Sequence, residues 1–381
     1  MEGRRAAEIE PEDAGMDRRA LVGALRLAAS RPGSGSLTVA RHGHVVFDHH
    51  WGRSKGDLHW VFSASKAVVA VLTHQLVDDG AAALDDPVAR FWPEFGEHGK
   101  DVITLRNVLT HRTTIPTARG LLGGGAMGET AVMTDWDTSL RRIASARLRG
   151  TPGAYPAYGY LDFGFILGEV IQRITGDPFE AVAAARVFEP LGMTCSWFGA
   201  PPEAEKRIVP LTGGNPVARV VARVVNRPKT HAAVIPAGGL TTTTADLVRF
   251  YEALRLGGEA GGVRILSPES GAELVRQSDR GQRDRFVTLN VRYGQGVQLG
   301  GPRNDQIGWG PFGRDSLPTT FGHNGSNVAI AWTDPVRGLS YAHVTGYQST
   351  YLRDFAHLAE VADAVLASTG PLEEGNSHVD S

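Results

Sequence analysis

Cysteine is nearly absent from this chain: of 381 residues, only Cys195 carries a thiol. No internal disulfide can form, and nothing indicates an oxidising compartment. Cys195 lies in Leu191-Gly192-Met193-Thr194-Cys195-Ser196-Trp197 with no neighbouring His or Lys. It reads as a buried small apolar residue, not a nucleophile. Long hydrophobic runs are also absent, and no apolar stretch approaches the roughly 20 residues that span a bilayer. Residues Met1 to Glu10 lack the apolar core of a secretory signal, so a cytoplasmic location is expected. The net charge is only −2, with both signs scattered, which points to neither a nucleic-acid nor a membrane partner. Lysine is scarce: Lys55, Lys66, Lys100, Lys206 and Lys229 are five of the 39 basic residues, and the other 34 are arginine. Arginine holds its proton in a protein, whereas lysine can release it.

What is present is the balance of a globular protein, 42% hydrophobic and 21% charged. The length suits one large or two ordinary domains. Residues Arg18 to Arg31 read as an amphipathic helix. Ser36 to Trp51 alternates as two strands around His42-Gly43-His44. A helix is expected from Ser63 to about Gly80, others over Asp162 to Thr175 and Ala245 to Leu256. Strand signals return after about residue 285. Asn327 to Trp332 and Leu339 to Val344 flank a turn, and a last helix covers Leu352 to Ala367. Strands at both ends with helices between predict an α/β (α+β) fold. Its mixed, mainly antiparallel sheet is built from both termini and flanked by helices. The predicted sheet region is 1–62 with 256–370, the predicted helical insertion is 63–255, and 371–381 is a polar, disordered tail.

One tetrapeptide dominates the chemistry, Ser63-Ala64-Ser65-Lys66 in an otherwise apolar run. A serine and a lysine three apart share a helix face. Desolvation lowers the lysine pKa, so that a neutral amine takes the serine proton. A hydroxyl in a first helical turn lies near unpaired backbone N–H groups that favour an oxyanion. The bland alternative is a lysine that snorkels to water. A second polar group is Tyr155-Pro156-Ala157-Tyr158-Gly159-Tyr160, on a Pro/Gly-rich loop before a helix. A phenol near an ammonium can be partly ionised and act as a general base; the alternative is core-packing aromatics. A third is Phe321-Gly322-His323-Asn324-Gly325-Ser326-Asn327, directly before a strand, where glycines allow close backbone approach. His323 there is read as a donor to substrate or an orienter of the Tyr–Lys pair. The histidines His42, His44, His49 and His50 sit at a turn and a strand end without paired carboxylates beyond Asp48, so no metal is expected. No cofactor is implied.

Ser-x-x-Lys, a tyrosine loop before a helix bearing Leu167-Gly168, and His323-x-Gly325 before a strand occur in that order. This resembles the serine β-lactamase and penicillin-binding-protein superfamily. The nearest branch is the class C-like one, with family VIII carboxylesterases, D-aminopeptidases and natural-product acyltransferases. The resemblance implies Ser63 as acylated nucleophile, Lys66 as its partner and Tyr158 as general base. It further implies the N–H groups of Ser63 and Ser326 as oxyanion hole, and His323-Asn324-Gly325 in place of a Lys-Thr-Gly box. Departures from the branch are Tyr160 where asparagine is usual, Thr113-Thr114 where Ser-Gly is usual, and His323 for lysine. They leave Tyr158 and Tyr160 as rival bases, with Tyr155 behind them, and they favour esters over β-lactams.

The expectation is therefore a serine hydrolase, carboxylesterase-like, acting on a small-molecule ester or amide. Transfer to an amine or alcohol acceptor, weak β-lactamase or D-aminopeptidase activity, and a non-catalytic acyl-binding sensor are the alternatives. Leu121, Leu122, Met127, Trp136, Trp309 and Phe312 are candidates for pocket walls or ordinary loop anchors. The oligomeric state is not legible.

Overall fold

The computed structural model describes residues 8–53, 56–115, 124–278, 281–303 and 307–371, with backbone alone over 124–127. The expected disordered tail lies outside the described residues but for Pro371, as do Leu121 and Leu122 and the side chain of Met127. Helix α1 (Arg18–Ala28) starts at Asp17, whose carboxylate accepts the Arg19 and Ala20 N–H groups. Strands β1 (Gly35–Arg41) and β2 (His44–Trp51) follow. They are joined at His42 (φ 51°) and Gly43 (φ 87°), the left-handed pair that suits a tight hairpin.

Helix α2 (Lys66–Asp78) is buried from Lys66 to Gln75 and beyond, to Leu76. A helix apolar on all sides belongs in the centre of a structure. Helix α3 (Asp162–Thr175) packs beside it and ends at left-handed Gly176. Then come α4 (Pro216–Val225) and α5 (Thr244–Arg255). The other strands of the main sheet are β3 (Gln298–Leu299), β4 (Phe321–Gly325), β5 (Ala329–Asp334) and β6 (Leu339–Thr345), and α6 (Tyr351–Ala367) ends the fold.

The six strands form one sheet in the order β2-β1-β6-β5-β4-β3, each neighbour antiparallel. The N-terminal hairpin joins the C-terminal strands through Leu37 opposite His343 and Val39 opposite Tyr341. Side chains alternate between the two faces. Ile330, Trp332, Leu339 and Tyr341 pack with α1 and α6. The small Ala329, Ala331 and Ala342 turn to the other face, towards α2 and α5. The two-period pattern thus sets both layers. The expected mixed α/β architecture, antiparallel sheet from both termini, is the one found.

Candidate active site

Ser63 stands in a single 3-10 turn, Phe62–Ser65, and α2 begins only at Lys66. This corrects the expectation of an α-helical first turn starting at Ser63. Phe62 has φ 49°, a left-handed conformation that a bulky side chain adopts only under constraint. The constraint is local. The Ser65 hydroxyl donates to the Phe62 carbonyl and accepts the Leu240 N–H at 3.1 Å, while Val61 N–H bonds the Leu240 carbonyl at 3.0 Å. Strand β4 presses on the same turn, since a Cβ at Gly325 would fall on the Val61 carbonyl oxygen. Only glycine lets β4 approach so closely. Ser326 follows at φ 46° beside the turn. Among the described residues, neither the Ser63 nor the Ser326 N–H donates to another protein group.

The Lys66 amine lies 3.3 Å from Ser63 Oγ, 2.7 Å from the Tyr160 carbonyl and 3.1 Å from the Ala237 carbonyl. It is fully buried, and desolvation brings its pKa down to about 7. The two carbonyls take two of its N–H bonds, and its third position faces Ser63 Oγ. Lys100 offers the contrast. Its ammonium meets three carbonyls, those of Glu97, Ala144 and Ala146, at 2.6–2.8 Å. Those three carbonyls leave no position facing a hydroxyl, although burial lowers the Lys100 pKa as well.

Tyr158 interacts through its phenol with Ser63, and its ring centroid is 4.6 Å from Lys66 Nζ. The partly ionised phenol expected from the sequence is corrected here: burial pushes the Tyr158 pKa well above the ordinary phenol range. Tyr160 lines the cavity and gives its carbonyl to Lys66, while its own phenol bonds Thr130. Tyr155 lies apart under Arg285, 3.3 Å from its ring centroid.

His323 is also corrected. It is buried and does not line the cavity; its Nδ1 bonds the Asn324 carbonyl at 2.6 Å. Desolvation lowers its pKa to about 3, so the ring is neutral and does not replace a lysine cation. Asn324 and Ser326 do face the cavity. Asn324 donates to Asn327 Oδ1, and Asn327 to the Tyr351 carbonyl. Trp136 is a helix anchor, its indole bonded to Glu169 at 3.0 Å. Phe312 is buried against the terminal helices. Trp309 stacks on Phe355, a cavity residue, at 5.3 Å. Cys195 is half-buried, not buried, and accepts from Arg207 at 3.3 Å.

Two residues of this arrangement escaped sequence reasoning. The His111 carbonyl accepts Ala157 N–H at 2.8 Å, and its ring Nδ1 accepts Gly159 N–H at 3.1 Å. The Asp284 carboxyl takes the intervening Tyr158 N–H. Three successive N–H groups are thereby held around the tyrosine. The His111 ring also packs on Tyr158 at 4.6 Å and is kept neutral by burial. Leu109-Thr110-His111, just before Thr113-Thr114, is the stretch from which His111 could have been found; Asp284 had no such signal.

The cavity over Ser63 has a volume of about 430 Å³. Its walls are mainly apolar: Val217, Val221, Phe286, Val291, Leu299 and Phe355. Among the described residues, no group of three or more His, Cys, Asp or Glu side chains is placed to hold a metal ion.

The chain is 28% identical over 350 residues to the Esterase/beta-lactamase LipL of Mycobacterium tuberculosis, covering 82% of this chain and 77% of that protein. It is 31% identical over 283 residues to the Esterase EstB of Burkholderia gladioli, covering 64% and 68%. The crystal structure of a family VIII carboxylesterase superposes with a TM-score of 0.76 at 23% identity, over 94% of this chain and 98% of that one. The family model named Beta-lactamase matches residues 13–366, from just before α1 to the last helix. This chain belongs to the beta-lactamase family.

Proposed function

We propose that this protein is a serine hydrolase of carboxylesterase type, working through an acyl-enzyme on Ser63. One observation carries the reading: the buried Lys66 amine, held by two carbonyls, turns its remaining position to Ser63 Oγ. Lys66 as neutral amine takes the hydroxyl proton while Ser63 Oγ bonds the ester carbonyl carbon. The carbonyl oxygen becomes an oxyanion between the free N–H groups of Ser63 and Ser326. The carbon–oxygen bond to the alcohol then breaks. The Tyr158 phenol, neutral and in contact with Ser63, passes a proton to the departing alkoxide and regains one from the Lys66 ammonium. Water enters, gives its proton back along the same route and releases the acid and free Ser63.

The cavity favours a neutral acyl ester over an anionic donor. Its walls are apolar, and the neutral His323 supplies no cation for a substrate carboxylate. Of the lining arginines, Arg292 is held by the Gly300 carbonyl and by Gln277, and Arg303 also has a partner. The relatives named esterases support the same class.

The test is intact mass after brief exposure to a p-nitrophenyl acyl ester or a fluorophosphonate. Wild type gains one adduct, mapped to Ser63, and Ser63→Ala gains none. An adduct retained by Ser63→Ala at the wild-type level defeats the proposal. Added alcohols or amines that divert the acyl group from water would move the reading from hydrolysis to transfer.

A further inference from the structure

Large apolar side chains are exposed at few places. Among the described residues they are Val102, Val217, Val220, Leu256, Tyr351 and Leu352. Four of these lie on the first turns of α4 and α6, the two helices that contribute residues to the Ser63 cavity. Val217 and Tyr351 line it, and Val220 and Leu352 stand 57% and 66% exposed beside them. They sit on two helices whose starts are fastened together. Thr212–Gly213, just before α4, pairs with Tyr347–Gln348, just before α6. The Asn215 side chain, capping α4, donates to the Ser349 carbonyl. An exposed apolar patch continuous with a cavity calls for an occupant.

The surrounding charge indicates which one. Residues 206–245 contain Lys206, Arg207, Arg219, Arg223, Arg227 and Lys229 but no Asp or Glu. Arg219, Arg223, Arg227 and Lys229 on and after α4 are exposed, as is Arg353 next to Leu352. The nearby Asp354 is buried and paired with Arg31. Valines and leucine flanked by arginines, without carboxylates, match a surface of acyl chains under anionic headgroups.

We propose that the cavity mouth is a docking rim for an anionic lipid–water interface. Val217, Val220, Tyr351 and Leu352 enter the acyl layer, and Arg219, Arg223 and Arg353 meet the headgroups. No helix of the described residues is long and apolar enough to cross a membrane, so the contact is peripheral. An ester-bearing lipid then slides from the interface into the cavity without its apolar chain crossing water. This use of the rim rests on the acyl-site reading above.

The test uses the full chain carrying Ser63→Ala, mixed with sucrose-loaded vesicles of phosphatidylglycerol or, separately, phosphatidylcholine. The expected result is sedimentation with phosphatidylglycerol, weaker sedimentation with phosphatidylcholine, and release by salt. Val220→Asp with Leu352→Asp should lower partitioning at least about tenfold, since both inserted side chains are lost. In the active chain, the same pair should leave hydrolysis of soluble p-nitrophenyl butyrate unchanged, as neither residue lines the cavity. Absence of binding to phosphatidylglycerol overturns the rim, and so does binding by the double variant at the wild-type level. A wild-type dimer that the double variant dissociates also overturns it, because a second copy then covers the patch. Vesicle binding by a chain that forms no acyl-enzyme would leave the rim standing and remove the hydrolase reading alone.

Discussion

At the scale of single residues, the Lys66 environment makes a kinetic statement. Its folded-state pKa lies at about 7, lowered from 10.5 by desolvation. In the proposed mechanism the deprotonated form accepts the proton, so kcat/KM on a soluble ester should rise about tenfold per pH unit below that value and level off above it. Lys66→Arg places a permanent cation there and should cost about 10²–10⁴ in rate. A pH profile without an acid limb, measured in the wild type between about pH 5 and 9, would remove Lys66 as the titrating base.

His111 acts through another residue. Its ring accepts the Gly159 N–H and packs on Tyr158, while its main-chain carbonyl holds the Ala157 N–H, so His111→Ala removes the ring's hold on the tyrosine, keeps the Ala157 bond and does not touch substrate. The expected outcome is a kcat about ten- to a hundredfold lower with KM nearly unchanged. A raised KM at constant kcat in steady-state assays would instead assign the imidazole to binding. Ser63, Lys66 and the tyrosine loop were legible because their chemistry depends on residue type and short spacing. The clamp was not. It is made of backbone N–H groups meeting a ring and a carboxyl from residues 48 and 126 positions away from Tyr158's neighbours and itself, and no local pattern encodes such a meeting.

At the scale of elements, helices and hairpins were readable where periodicity is strong. Asp162–Thr175 was legible end to end, and the β5–β6 hairpin followed from its turn residues. The start of α2 was not, because the 3-10 turn depends on Leu240 and Gly325, which come from distant chain. The strand Leu240–Thr242 pairs with both His59–Trp60 and Trp197–Phe198. That pairing brings Ala237 near the lysine, and Gly164 of α3 completes the approach. A Cβ at Gly164 would collide with the Ala237 backbone, whose carbonyl accepts from Lys66. Gly164→Ala therefore costs about 1–3 kcal/mol of stability and moves that acceptor, lowering kcat/KM as well. Thermal unfolding and ester kinetics read both effects, and an unchanged Tm with unchanged rate would contradict the packing argument.

At the scale of the whole molecule, the two-region division drawn from the sequence meets a continuous core. We propose that the sheet and helical regions are one cooperative unit. Helix α5, placed by the sequence division in the helical part, lies on the sheet, with Thr244 Oγ1 accepting from Thr38 Oγ1 of β1 at 2.7 Å. Helix Pro268–Leu274, from the sheet part of the sequence, packs on α2. Phe95, Ile103 and Ile143 share one apolar cluster with Ala329, Ala331 and Val344 of the sheet. A boundary crossed in both directions by buried side chains gives neither part a separate core. Trp332→Ala on the sheet and Phe95→Ala in the helical part should each destabilise by about 3–5 kcal/mol. In urea, far-UV circular dichroism and Ser63 labelling should then lose signal at the same midpoint for each variant. If Phe95→Ala instead loses Ser63 labelling in a first transition while the sheet melts later at the wild-type midpoint, the regions fold separately. The site would then belong to the helical part alone, although Ser326, directly after β4, lines it.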